Sequence, residues 1–106
     1  SVNDTFVMNA WFEQQGIEKV KPLPDGNGEL ARQLGLLVKK ENLGFGLRSW
    51  RYAMLVIDGT VELMSIEPNL EDNCQTDPYE KSKPEVFLEE VKEHFGLNFI
   101  NNEENK

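Results

Sequence analysis

A single thiol, a single imidazole and two arginines three residues apart are the side chains with which this chain could do chemistry: Cys74, His94, Arg48 and Arg51. A thiolate attacks electrophilic sulfur or oxygen. A guanidinium is permanently cationic and offers five donors in a rigid fork that suits developing negative charge. One cysteine excludes an internal disulfide framework, and one cysteine with one histidine excludes a zinc site built mainly from those types. Cys74 lies among Glu71, Asp72 and Asp77, poor surroundings for an attacking thiolate. By its residues it reads as an inert exposed thiol. A Cys74–His94 pair has no visible orienting partner or oxyanion site. His94 near a helix end reads as a cation favoured by the helix dipole. On spacing alone Arg51 is an arginine in a surface ion pair at a strand start. Gly44-Phe45-Gly46 neither follows a strand nor opens a helix, so it is not a dinucleotide fingerprint. Met8, Met54 and Met64 read as core fillers.

Charge narrows the partners. The chain has 106 residues and a net charge of -8. Residues 1–66 carry 8 acids and 7 bases, whereas residues 67–93 carry 9 acids and 3 bases. An acidic C-terminal third argues against nucleic acid and against an anionic membrane, both of which need a basic face. The locally positive part is 39–51, with Lys39, Lys40, Arg48 and Arg51 against Glu41. No apolar run reaches the roughly 18 residues of a membrane span, and no basic-then-apolar signal pattern opens the chain. Hydrophobic residues at 39% and charged residues at 28% fit one small globular domain. A lone thiol suits a reducing compartment.

The elements that must position these residues alternate. Residues 1–4 read as a strand end and a turn. Asn3 or Asp4 caps a helix whose Phe6, Val7, Ala10 and Trp11 share one face, and Gly16 stops it. Residues 17–23 are a short strand candidate, ended by Pro22, Pro24 and Asp25-Gly26. A helix is predicted over about 28–37, with Leu30, Leu34 and Leu37 on one face. Residues 38–50 read as a loop. Residues 51–57 and 60–66 are strands joined at Asp58-Gly59, a strong hairpin signal. Residues 67–81 are a polar surface loop. Ser82 and Glu85 form a capping box, with Pro84 in the first turn, for a helix with a buried stripe of Phe87, Leu88, Val91 and Phe95 that ends at Gly96. Residues 101–106 read as a frayed, disordered tail beyond a single domain portion spanning 1–100. This order is α/β with mixed strands. Only three full strands are visible, so the chain reads as starting in mid-fold.

Several strings together resemble the type-5 (atypical) peroxiredoxins, especially the bacterial branch that includes glutaredoxin-fused members. They are Val2-Asn3-Asp4-Thr5-Phe6-Val7-Met8-Asn9-Ala10-Trp11, Asp25-Gly26-Asn27-Gly28, Asn42-Leu43-Gly44-Phe45-Gly46, Arg48-Ser49-Trp50-Arg51-Tyr52, Asp58-Gly59, Val61-Glu62 and Ile66-Glu67-Pro68. The likeness returns at Asp77-Pro78-Tyr79-Glu80-Lys81-Ser82. The resemblance implies a thioredoxin-like fold, with this chain as roughly its C-terminal two-thirds. It also implies a cytoplasmic thiol peroxidase that reduces hydroperoxides through a cysteine sulfenic acid. Glutathione or glutaredoxin would be its reductant, and the protein would be a homodimer with no cofactor. The family's Pro-x-x-x-Thr-x-x-Cys motif is not in this sequence; three residues before Cys74 stands Glu71. The chain on its own is therefore expected to be inactive. Arg51 matches the family's active-site arginine. Phe45, Arg48 and Trp50 match a loop close to the active site and a subunit contact, and Cys74 lies where some members place a resolving thiol. The alternative is a non-catalytic thioredoxin-fold module that binds partners through residues 45–50.

Overall fold

The computed structural model describes residues 1–96. The expected tail at 101–106, like the last four residues of the expected 1–100 portion, lies outside them. The described residues form two compact units, one from residues 1–50 with 70–75, the other from residues 51–69 with 76–96.

The first unit opens without a strand. Ser1 O accepts from the Asn3 and Asp25 N–H groups instead of a ladder partner. Helix α1 (Thr5–Gln15) starts where the sequence predicts. Asp4 caps it, accepting from Val7 N, and Gly16 at φ 69° ends it. Its inward residue, however, is Met8. Phe6 is 84% exposed, and Val7 and Trp11 are about half exposed. The predicted strand at 17–23 is irregular, since Pro22 and Pro24 withhold ladder donors and, among the described residues, no strand is paired to it. Helix α2 (Glu29–Gln33) is short. The Asp25 carboxylate caps it, accepting from Leu30 N at 3.1 Å and Ala31 N at 3.0 Å. The Ala31 N–H, opposed by partial burial and aided by the Leu30 N–H, holds the Asp25 carboxyl below its ordinary pKa. Gly35, at φ 75°, breaks the helix.

Leu37 therefore belongs not to a helix but to strand β1 (Leu37–Lys39), which pairs antiparallel with β2 (Leu47–Ser49). A 3-10 turn at Glu41–Leu43 lies between them. The predicted loop at 38–50 is thus mostly a hairpin, concealed by its glycines and short strands. Among the described residues, the buried apolar side chains are Met8, Ala31, Leu36, Val38, Trp50 and Cys74, all in this unit.

In the second unit the hairpin follows the prediction, with the first strand starting at Tyr52. Strands β3 (Tyr52–Ile57) and β4 (Thr60–Ile66) pair from Tyr52↔Ile66 to Ile57↔Thr60. Asp58 (φ 52°) and Gly59 (φ 79°) make the two-residue turn. The register slips after Leu55↔Leu63, because the next pair is Val56↔Val61 and leaves Glu62 as the extra residue. Its carboxylate lies 3.6 Å from His94 Nε2. Helix α3 (Pro84–His94) ends at Gly96, with φ 69°. It meets β4 through Glu90 Oε1, 3.3 Å from Ser65 Oγ. Of its expected stripe, Phe87 and Val91 are half-buried, while Leu88 and Phe95 are about half exposed. The capping box does not form. The helix starts one residue later than the box requires: Lys83 is the N-cap, with no side-chain cap bond, and the Ser82 hydroxyl and N–H both donate to Glu67. The described strands thus make two antiparallel pairs within an α/β arrangement.

Candidate functional site

Arg51 sits one residue before β3, and its carbonyl accepts from Glu67 N at 3.1 Å, which carries the hairpin ladder one step past Ile66. Its guanidinium is held by the segment 77–82. Nη2 lies 3.1 Å from Asp77 Oδ2, and Nη1 donates to Asp77 O at 3.2 Å. Cζ lies 5.0 Å from the centroid of the Tyr79 ring. The side chain stays 45% exposed, so part of the donor fork faces outward.

Bonded to the Arg51 main chain is a residue with a buried carboxylate, Glu67 of the Ile66-Glu67-Pro68 string, which has no mark of a site in the sequence. Glu67 is 1% exposed. Its Oε2 accepts from Ser82 Oγ at 2.7 Å, Ser82 N at 2.7 Å and Glu80 N at 3.0 Å. Burial by itself raises the Glu67 pKa. The Ser82 hydroxyl and the N–H groups of Ser82, Glu80 and Lys81 outweigh it and lower the value to about 2. The available signal was a lone acid closing an apolar strand, followed by Pro68, a position where a carboxylate must find donors if it turns inward.

In the first unit, Arg48 is a tie rather than a free cation. Nε donates to Phe45 O at 2.9 Å, and Nη1 donates to Val2 O at 2.6 Å and Asn3 Oδ1 at 3.2 Å. Arg48 and the exposed Phe45 border an open groove of about 440 Å³, shared with Val2, Asn3, Asp4 and Leu47. Trp50 is buried; its main-chain N–H donates to Leu36 O at 2.7 Å, and Lys40 Nζ lies 5.4 Å from its ring centroid. Arg48→Ala removes three bonds of a charged donor and should lower stability by about 1.5–3 kcal/mol. A urea midpoint identical to that of the parent would show that these bonds contribute nothing net.

Cys74 is 6% exposed, which corrects the expectation of an exposed thiol. The acidic segment around it is stitched inward. Asp72 Oδ1 accepts from Lys39 N at 2.7 Å, Asn73 N donates to Lys39 O at 2.7 Å, and Asn73 Oδ1 accepts from Asn42 N at 3.1 Å. Asn73 adopts φ 53°, a conformation that Asn tolerates. A thiol reagent should therefore label Cys74 roughly 100-fold more slowly in the native chain than in urea, if local opening costs about 3 kcal/mol. Equal rates would show that the 70–75 segment does not stay closed. His94 contacts Glu62 and packs edge-on to Phe95 at 4.9 Å. Among the described residues no His, Cys, Asp and Glu cluster could hold a metal, and no helix is long and apolar enough to cross a membrane.

The Redoxin family matches residues 1–82, and the chain belongs to that family. It is 58% identical over 92 residues to a peroxiredoxin of Synechocystis, a match covering 87% of this chain and 49% of that protein. It is 54% identical over 88 residues to a hybrid peroxiredoxin of Haemophilus influenzae, covering 83% of this chain and 35% of that one. The crystal structure of the Plasmodium falciparum antioxidant protein, a 1-Cys peroxiredoxin, superposes with a TM-score of 0.82 at 34% identity, covering 87% of this chain and 54% of that one. The fold is therefore the thioredoxin-like α/β fold of peroxiredoxins. The chain spans about half the length of the relatives it matches, rather than the two-thirds expected from sequence.

Proposed function

We propose that this chain is the portion of a thiol peroxidase that supplies the active-site arginine, Arg51. In the reaction, a cysteine thiolate attacks the outer oxygen of a hydroperoxide. A sulfur–oxygen bond forms and the O–O bond breaks. Sulfur is oxidised by two electrons to sulfenic acid, and the other oxygen leaves, with a proton, as water or an alcohol. A second thiol then reduces the sulfenic acid, giving a disulfide and water. The attacking cysteine belongs to a part of the enzyme other than this chain. Arg51 would favour the thiolate and donate to the peroxide oxygens as charge develops. The reductant would be glutathione or glutaredoxin, in the manner of the bacterial branch of type-5 peroxiredoxins, within a cytoplasmic homodimer. Phe45, Arg48 and Trp50 would shape the neighbouring loop. Cys74 could serve as a resolving thiol only after the 70–75 segment opens.

The observation that carries this reading is the 58% identity to a peroxiredoxin over 92 residues. The test is a chimera in which this chain replaces the matching half of the Synechocystis peroxiredoxin. It should consume hydroperoxide with glutathione and glutaredoxin, while this chain alone should not exceed the free-thiol background. A folded but inactive chimera would favour the second reading, a non-catalytic module. That reading has its own support in Leu43, Phe45 and Leu47, each more than half exposed along one hairpin.

A further inference from the structure

Glu67 stands at the joint between the Arg51 main chain and the segment that seats the Arg51 guanidinium. Its N–H donates to Arg51 O, and its buried carboxylate takes three donors from Glu80 and Ser82. Residues 77–82 contain no helix or strand of their own. Yet Asp77 and Tyr79, just upstream of that anchor, make the contacts to the guanidinium. An exposed pair such as Arg51–Asp77 fixes little by itself, because its Coulomb gain is offset by lost rotamer freedom. Three charge-assisted bonds to a buried carboxylate fix the backbone far more firmly. The guanidinium then meets a seat that is already arranged.

We infer that Glu67 is a positioning residue for Arg51: its amide holds the Arg51 carbonyl, its carboxylate holds residues 80–82, and together they set the direction of the guanidinium. The catalytic consequence rests on the role proposed for Arg51 above; the geometric part does not.

The chain has three arginines, so its Nε–Hε spectrum contains three signals. Arg51 and Arg48 should give restrained heteronuclear NOE values. Arg32, exposed in a pair with Glu29, should give a mobile one. In Glu67→Gln the Arg51 value should fall to that of Arg32 while Arg48, bonded within residues 1–50, keeps its own. In the chimera, Glu67→Gln should slow peroxide reduction about tenfold when Arg51 is present and not at all in an Arg51→Ala background. A folded Glu67→Gln chain whose Arg51 signal stays restrained overturns the inference, as does an equal rate loss in the two backgrounds. If Arg51→Ala itself loses no rate, the catalytic reading fails and the NOE still decides the positioning. Should Glu67→Gln not fold, Ser82→Ala decides, since it removes one donor and leaves both amides. Its Arg51 signal should lie between the parent and Arg32, and an unchanged signal is again a refutation.

Discussion

Arg51→Ala should slow the second-order reaction of the chimera with hydroperoxide by roughly 10- to 150-fold, the equivalent of one charge-assisted hydrogen bond worth about 1.5–3 kcal/mol. The thiol pKa of the attacking cysteine should rise in parallel, because a fixed cation has left its surroundings. Arg51→Lys should restore only part of the rate: an ammonium returns the charge but not the planar fork. The control must be chosen with care. Arg48 is close in sequence, but its bonds to Val2, Asn3 and Phe45 make its loss a stability change. Arg32 on the face of α2 is the better comparison, and Arg32→Ala should leave the rate unchanged. Peroxide kinetics with thiolate absorbance measure both quantities. A folded Arg51→Ala protein at near-parental rate would reduce Arg51 to its exposed pair with Asp77, an interaction worth about 0–1 kcal/mol.

That pair shows where sequence stops being informative. Asp58-Gly59 between two apolar runs specifies its hairpin locally, because the turn needs positive φ at both positions and Asp-Gly supplies it. Asp4 and Gly16 bound α1 for equally local reasons. Leu37 takes a helical place in the sequence but lies in a strand, because a five-residue helix followed by Gly35 and a three-residue strand has too few residues to show a period. Ser82 differs from its expected role for another reason. Its S-x-x-E spacing is a genuine cap signal, but a buried carboxylate 15 residues earlier takes both the hydroxyl and the N–H of Ser82, and the helix starts one residue later at Lys83. The candidate site divides the same way. Arg51 was legible through its neighbours in sequence. The partners that hold it, Asp77 and Tyr79, come from 26 and 28 residues away, and Glu67 from 16. No local pattern encodes such contacts. Around Cys74 the acidic neighbours suggest solvent, whereas Asp72 and Asn73 turn their oxygens toward the backbone of Lys39 and Asn42.

The stability difference between the parent chain and Glu67→Gln should depend on pH, with a sign that follows from the Glu67 environment. The folded carboxyl has a pKa of about 2, against an ordinary value of 4.5. A group depressed in the folded state binds its proton more readily in the unfolded chain. Its contribution is complete above the ordinary value and declines as pH falls from about 4.5 toward 2. Glutamine mimics the protonated acid: with its oxygen at the Oε2 position it keeps an acceptor for the donors of Glu80 and Ser82 but loses the charge that strengthens their bonds. Parent and variant should therefore differ by on the order of 2 kcal/mol at neutral pH and converge near the acid end. Taking the difference cancels Asp25, whose carboxyl is also depressed but is untouched by the substitution. Urea unfolding at pH 7, 5, 4 and 3, followed by far-UV circular dichroism, measures it. A gap of constant size across that range would mean that Glu67 titrates alike in the folded and unfolded chain, and that the bonds from Glu80 and Ser82 do not favour its charge.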